Sequence, residues 1–153
     1  MLNWIEQASF SWKIWKRFVT RLSAVPALLD TGAVELLRRR NRQTETLTIR
    51  FYPPLICRHV VGEFLYGQLL AEATPSALLE VQEYLSGFEC LEPDETTSLV
   101  YARIRAALHK KGIKLPDPDY WIAAHALQHH LPLITTDSDF KSIPGLQIHL
   151  IKV

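Results

Sequence analysis

Four acidic residues stand at points of the sequence where an α/β fold would bring them together. Asp30 ends the apolar run VPALLD, Glu63 lies within HVVGEFLYG, Asp119 opens DYWIAAHAL, and Asp137 ends LPLITTD. In an open parallel sheet, the carboxyl ends of the strands and the amino ends of the neighbouring helices form one edge. We therefore expect the four carboxylates to converge at a single site.

Taken singly, three of these acids have an ordinary structural explanation. Asp30 is placed to cap the helix that follows it. Glu63 lies among apolar residues and needs a counter-charge, which Arg58 or a helix terminus could supply. Asp137 could close an Asx-turn. Asp119 has no such role, because Asp117-Pro118 just before it is predicted to provide the N-cap and the first helical residue.

Taken together, the acids predict a site for a divalent cation. Crowded carboxylates repel one another and raise each other's pKa unless a cation neutralises them. A set of oxygen ligands without His or Cys suits Mg²⁺ or Mn²⁺ better than Zn²⁺. Such an ion activates water and offsets charge on a phosphoryl group, so hydrolysis of phosphodiester bonds is the chemistry that we expect.

The elements that must position these acids alternate between short apolar runs and longer periodic ones. The sequence predicts strands at 25–30, 88–91, 132–136 and 146–151, a broken strand region at 47–58, a loop at 137–145, and helices at 31–41, 59–73, 76–86, 93–112 and 117–130. Pro93 is expected near the start of its helix and Gly112 at its end. Strands that alternate with helices predict a mainly parallel central sheet in a three-layer α/β/α sandwich.

Residues 1–24 form the one segment that we separate from the predicted domain, which spans residues 25–153. Trp4, Trp12 and Trp15 recur at helical spacing with basic residues on other faces, which predicts a basic amphipathic helix. The alternatives are a membrane-surface anchor, a clamp on a phosphate backbone, an oligomer contact, or an extra helix on the core. Charges interrupt every apolar run, so we expect neither a membrane span nor a secretory signal, and a cytoplasmic protein.

Charge and cysteine content add two expectations. The formal net charge is only +1, but residues 1–50 hold nine Lys or Arg against four acids, while residues 59–102 hold eight acids and no Lys or Arg. This asymmetry could orient a polyanion or a basic peptide, or it could only keep the surface solvated. Cys57 and Cys90 match no zinc or disulfide spacing, and we expect buried free thiols in a reducing compartment.

Two histidines also raise the question of a zinc site. His125 and His129 stand four residues apart on one predicted helix, which is a spacing that zinc ligands use. No third ligand is apparent near them, and His130 points about 100° away from His129 by the helical period. The prediction is therefore a partly exposed histidine pair without metal.

The motifs that carry the acids resemble those of a known family. The segments LLDT at 28–31, GEFLYG at 62–67, DYWIAAHAL at 119–127, LITTDSDF at 133–140 and IPGL at 143–146 are similar, in this order, to PIN-domain ribonucleases of the VapC-like toxin type. The resemblance implies that Asp30, Glu63, Asp119 and Asp137 are the catalytic and metal-site acids. Thr31 and either Thr135 or Thr136 would be their hydroxyl partners.

The resemblance also implies an activity and partners. It implies Mg²⁺- or Mn²⁺-dependent endonucleolytic cleavage of RNA that leaves 5′-phosphate and 3′-hydroxyl ends, a cognate antitoxin that restrains the enzyme, and a homodimer. Asp30, Asp119 and Asp137 would hold one or two ions, and Glu63 would bind metal or orient the attacking water. The basic residues that could hold the RNA backbone, each also explicable as a surface charge, are Arg38, Arg39, Arg40, Lys110, Lys111 and Lys141.

The sequence departs from the family pattern at two places. Residues 1–24 have no counterpart, and Gly32 stands where the family commonly has Asn or Ser, which removes a polar side chain from the rim of the site. These departures motivate a second hypothesis, a PIN-like scaffold or binding protein without turnover. A third is a phosphatase or DNA nuclease that uses the same metal chemistry.

Overall fold

The structure, a computed structural model, describes residues 25–152. The predicted amphipathic helix at residues 1–24 lies outside this part of the chain. No helix in residues 25–152 combines the length and the hydropathy needed to cross a membrane.

Five short parallel strands form the central sheet. They are β1 (Ala27–Leu29), β2 (Pro54–Cys57), β3 (Glu89–Leu91), β4 (Leu133–Thr135) and β5 (Ile148–Leu150), and their order across the sheet is β3-β2-β1-β4-β5. Leu28 in β1 lies opposite Leu55 on one side and Leu133 on the other, so β1 is the central strand. The predicted mainly parallel sheet is confirmed, and all five strands run in the same direction.

Within residues 25–152, six α-helices cover the sheet and complete the predicted α/β/α arrangement. They are α1 (Thr31–Arg38), α2 (Arg42–Arg50), α3 (Arg58–Leu70), α4 (Pro75–Ser86), α5 (Glu95–Lys110) and α6 (Asp117–Gln128). A 3₁₀ turn (Ser138–Ser142) follows β4 within the predicted loop. The core is built from the central strands and from α6, in which Ile122 and the four residues after it are all buried.

The predicted broken strand at 47–58 is wrong in its first part. Residues 47–50 are the last residues of α2, and only Pro54–Cys57 form a strand. The β-branched run in LTIR favoured a strand, but the Asn41 side chain accepts hydrogen bonds from the amides of Gln43 and Thr44 and starts a helix upstream of it. The helix cap and the packing of α2 therefore override the local strand propensity.

Two predicted helix starts also need correction. Asp94 caps α5 through a capping box with Thr97, so Pro93 precedes the cap and is not the first helical residue. Asp117 is the first residue of α6 and not its N-cap, a position that Pro116 occupies. The Asp117 carboxylate instead accepts a hydrogen bond of 2.7 Å from the Tyr101 hydroxyl and pairs with Arg105.

Candidate active site

The structure brings the four predicted acids together in one pocket at the carboxyl edge of the sheet. Asp30 directly follows β1, Asp137 comes two residues after β4, Glu63 lies on the helix that follows β2, and Asp119 lies in the first turn of α6. They line a pocket of about 180 Å³ together with Thr31, Gly32, Ile122, Thr136 and Phe140. Convergence follows from the parallel sheet, whereas the role of the acids as metal ligands stays a prediction.

Asp30 is the most buried of the four acids. One carboxylate oxygen accepts a 2.7 Å hydrogen bond from the amide of Ala33, so Asp30 does cap α1, and the other accepts a short hydrogen bond from the Thr135 hydroxyl. Burial raises the pKa of Asp30 to about 6, although these hydrogen bonds act in the opposite direction. Asp30 thus has a structural role and also lines the pocket.

Glu63 is held by a neighbouring hydroxyl group. The Thr31 side chain donates a 2.6 Å hydrogen bond to its carboxylate, as the resemblance suggested for Thr31. The predicted counter-charge from Arg58 is wrong, because Arg58 pairs with Glu92 on the surface. Five residues along an α-helix correspond to a rotation of about 140°, so the two side chains leave α3 in different directions.

Asp119 is the acid whose pKa shows the effect of the pocket most clearly. Within residues 25–152 its carboxylate has no hydrogen-bond or ion-pair partner. Burial raises its pKa to about 7, and the neighbouring negative charges add to this effect, in the order Glu63, Asp137, Asp30 and Asp139. The sequence predicted no structural role for Asp119. Asp119 is therefore also the acid whose ionised form the pocket disfavours most.

Asp137 is tied to Asp30 through Thr135. The Thr135 hydroxyl donates to the Asp30 carboxylate and accepts a 2.9 Å hydrogen bond from the Asp137 amide. The Asp137 carboxylate accepts from the amide of Asp139 at 2.8 Å, which is the predicted Asx-turn. Of the two threonines left open by the sequence, Thr135 bonds to an acid of the site and Thr136 lines the pocket.

Gly32 lies against the Thr136 side chain. A Cβ atom at residue 32 would be 2.3 Å from the Thr136 hydroxyl oxygen, so a larger residue fits only if Thr136 moves. The hydroxyl of Thr136 occupies the space that a side chain at residue 32 would enter. The rim of the pocket therefore keeps a polar group although the chain has glycine at this position.

The charges around the pocket are consistent with a cation site. None of the lining residues is basic, and none of the ion pairs found within residues 25–152 includes one of the four acids. Arg38 and Arg39, two candidates for holding RNA, pair with Glu35 instead. The donors are all oxygen atoms and their negative charge is uncompensated, so the residues fit a hard divalent ion such as Mg²⁺ or Mn²⁺.

The histidine pair differs from the prediction. His125 is fully buried while His129 is exposed, and their ring centroids lie 6.3 Å apart in a stacked arrangement. Burial lowers the pKa of His125 to about 4, and the neighbouring His59 and His129 contribute in the same direction. No third ligand was predicted because Cys57 and His59, whose ligand atoms lie within 4.8 Å of that of His125, come from the distant junction of β2 and α3.

Comparison with known proteins assigns most of the chain to one protein family. Residues 27–146 match the PIN domain family. The chain is 32% identical over 139 residues to Ribonuclease VapC5 of Mycobacterium tuberculosis, an alignment that covers 86% of this chain and all of the relative. It is 30% identical over 90 residues to Ribonuclease VapC4 of the same organism, over 58% of this chain and 69% of the relative.

Solved structures agree with this assignment at the level of the fold. A chain of VapBC2 from Rickettsia felis, bound to a DNA fragment from its promoter, superimposes with a TM-score of 0.74 at 22% identity, over 84% of this chain and all of that chain. A chain of DNA-bound VapBC from Salmonella typhimurium gives a TM-score of 0.72 at 26% identity, over 82% and 97% of the two chains.

Proposed function

The chain belongs to the PIN domain family, and from this premise we propose that it is a metal-dependent endoribonuclease that acts as the toxin of a toxin–antitoxin pair. The observation that carries the proposal is the pocket of four carboxylates without a basic neighbour. The chain aligns along the full length of a VapC ribonuclease, and this similarity supports RNA as the substrate.

The cofactor that fits the pocket is Mg²⁺ or Mn²⁺. Asp30, Asp119 and Asp137 would hold one or two ions, and Glu63 would bind an ion or orient the attacking water. The raised pKa of Asp119 supports a cation at this place, because a positive charge relieves the repulsion that disfavours its ionised form. When bound, the ion would lower the pKa of water and offset negative charge on the phosphate.

The side chains of the site then have separate tasks. Thr31 holds the Glu63 carboxylate through its 2.6 Å hydrogen bond, so that Glu63 can accept the proton of the attacking water. Thr135 fixes Asp30 and the backbone of Asp137 relative to each other. The water oxygen bonds to phosphorus and the bond from phosphorus to the 3′ oxygen breaks. The departing 3′ oxygen takes a proton from solvent, so the products carry 5′-phosphate and 3′-hydroxyl ends.

We assign the binding of the RNA backbone to the basic side chains that have no acidic partner near the pocket. Lys141 is exposed and follows Phe140, which lines the pocket, so it is placed best among the candidates. Arg40, Lys110 and Lys111 are exposed as well and can add contacts to a longer strand.

The proposed partners are a cognate antitoxin and a second copy of the chain, in the cytoplasm where the RNA is. A basic side chain of the antitoxin inserted among the four carboxylates would displace the metal or the substrate by a charge-assisted hydrogen bond. Structural relatives are complexes named VapBC, which supports a partner of this kind. Tyr66, Leu69 and Leu70 on α3 are 60–66% exposed and offer apolar surface for protein contacts.

The test is RNA cleavage by the purified protein with Mg²⁺, compared with two variants of the site. Asp30→Asn and Asp119→Asn remove a negative charge at nearly constant volume, and each should lower the cleavage rate by at least about 100-fold. Asp117→Asn is the matched control, because this exposed acid lies two residues from Asp119 and outside the pocket, and it should keep the rate within about twofold. Full cleavage by a folded Asp119→Asn variant would contradict the proposal.

Two further measurements separate the alternatives. Calorimetric titration with Mg²⁺ distinguishes an enzyme from a scaffold, because a scaffold has no need to bind the ion at the acids. The position of Thr136 weakens the scaffold hypothesis, since its hydroxyl keeps the rim polar beside Gly32. Parallel digestion of RNA, DNA and a small phosphate ester then identifies the substrate class, and preference for DNA or for the ester would overturn the ribonuclease assignment.

A further inference from the structure

A second group of potential metal ligands lies outside the carboxylate pocket. Cys57 ends β2, His59 lies in the first turn of α3, and His125 lies in the last turn of α6. One ligand atom from each of the three side chains lies within 4.8 Å of the other two. Three nitrogen or sulfur atoms from two separate parts of the chain therefore face a common point.

The polar atoms of this group lack partners inside the protein. His125 has no exposed surface, and neither of its ring nitrogens has a hydrogen-bond partner; the same holds for the Nδ1 atom of His59. Buried polar side-chain atoms in folded proteins nearly always have a partner, so a buried imidazole with two unpaired nitrogens requires an explanation. A bound cation would accept the free lone pair of each ring.

The surroundings hold these side chains in place. The ring of Trp121 stacks on the ring of His59 with centroids 4.8 Å apart and planes 6° from parallel. Cys57 is the N-cap residue of α3 and is fully buried, and burial raises the pKa of its thiol to about 11. Packing and the helix start therefore orient the three ligands before an ion binds.

We propose that Cys57, His59 and His125 form a binding site for Zn²⁺ that is separate from the carboxylate pocket. One sulfur and two imidazole nitrogens are the donors that zinc selects, whereas the four acids offer only oxygen. On binding, Zn²⁺ replaces the thiol proton of Cys57, which leaves to solvent, and three protein ligands leave one tetrahedral position for a further ligand.

The proposed zinc site joins α3 and α6, and each of these helices carries one acid of the carboxylate pocket. His59 and Glu63 are four residues apart on α3, and His125 and Asp119 are six residues apart on α6. A zinc ion held by His59 and His125 therefore fixes α3 against α6. Its role is to set the relative positions of Glu63 and Asp119, so it is structural and takes no part in the chemistry.

The test is calorimetric titration of the full-length, metal-free protein with Zn²⁺, in excess Mg²⁺ so that the carboxylates are saturated. We expect one Zn²⁺ per chain for the wild type and a loss of affinity of at least about 100-fold in Cys57→Ala and in His125→Ala. Cys90→Ala and His129→Ala are the matched controls, because both residues lie near the site but outside the ligand group, and they should bind as the wild type does.

Co²⁺ gives a second measurement that identifies the ligands directly. The wild type should show a thiolate-to-cobalt charge-transfer absorption that Cys57→Ala lacks and Cys90→Ala keeps. Cys57 and His125 are fully buried, and their variants could fail to fold. His59 is only half-buried, so the titration is then carried out with His59→Ala, which should lose zinc affinity in the same way.

The outcome does not depend on whether the protein cleaves RNA, because both measurements report metal binding. Zinc binding that persists in Cys57→Ala and is lost in Asp119→Asn would place the ion at the carboxylates and overturn the proposal. Absence of stoichiometric Zn²⁺ binding by the folded wild type would also overturn it.

Discussion

The hydroxyl of Thr135 links two acids that are more than one hundred positions apart in the chain. It donates to Asp30 and accepts from the amide of Asp137, and in the same way Thr31 holds Glu63. The sequence identified the acids because three of them follow or begin a recognisable element and Glu63 lies among apolar residues of a predicted helix. It did not choose between Thr135 and Thr136, and it offered Arg58 or a helix terminus as the counter-charge of Glu63, because side-chain directions depend on how strands and helices pack and not on spacing alone.

At the same scale, the raised pKa of Asp119 makes the stability of the metal-free protein depend on pH. Its carboxyl titrates near 7 in the folded state against a reference value of 3.8, so between these values the folded state binds the proton more tightly. The stabilisation is complete below the lower value and is lost as the pH rises through the upper one. Ionised Asp119 therefore destabilises the fold when no cation is present.

We expect Asp119→Asn to raise the free energy of unfolding relative to the wild type by more at about pH 8 than at about pH 4. The difference between the two pH values should be on the order of 1–2 kcal/mol, after allowance for solvent screening of this half-buried group. Urea unfolding in the presence of a chelator measures it, and Mg²⁺ should reduce it. Glu80→Gln, at an exposed position of α4, is the control, and an Asp119→Asn effect that is equal at both pH values would refute the argument.

At the scale of the elements, four helices end in the same backbone motif. After α1, α3, α5 and α6 the chain enters the left-handed region, at Arg40, Glu72, Gly112 and His130 respectively. In each case the next amide bonds back to the carbonyl five residues earlier, as Ala73 does to Gln68 after α3. Gly112 stops α5 as predicted, at the left-handed position after the helix, but all four predicted helix ends lie two or three residues beyond the last helical residue. Arg, Glu and His do not mark a helix end in sequence as glycine does.

Glu72→Gly should stabilise the protein by about 0.5–1 kcal/mol, because glycine adopts the observed φ of 52° without steric cost. The matched control is Glu80→Gly, which places glycine within α4 at another exposed glutamate and should destabilise the protein by about 1 kcal/mol. Thermal or urea unfolding of both variants measures the two effects. The interpretation fails if the two substitutions destabilise the protein equally.

At the scale of the whole molecule, the alternation of strands and helices was enough to predict a parallel α/β/α fold. The strand order β3-β2-β1-β4-β5 was not predicted, because it depends on the direction in which each crossover turns and not on local periodicity. The order places β1 in the centre, with β2 and β4 on its two sides. β1 therefore holds the sheet together by pairing with two strands that come later in the chain.

Leu28 lies at this centre with no exposed surface, and Leu28→Ala should lower the free energy of unfolding by about 2–5 kcal/mol through the cavity that it leaves. The same truncation at Leu79, which is 60% exposed on α4, should change it by less than about 0.5 kcal/mol. Urea unfolding of the two variants measures the contrast. Similar small effects at both positions would show that β1 is not the centre of the core.

The place of β4 between β1 and β5 also has a consequence during synthesis of the protein. A nascent chain emerging from the ribosome presents Asp30 and Glu63 long before β4 and Asp137 are available, and until then one side of β1 stays unpaired. We expect this unfinished form not to cleave the messenger RNA from which it is being translated. If Asp137 is needed for activity, we expect RNA cleavage only after β4 and Asp137 have left the exit tunnel.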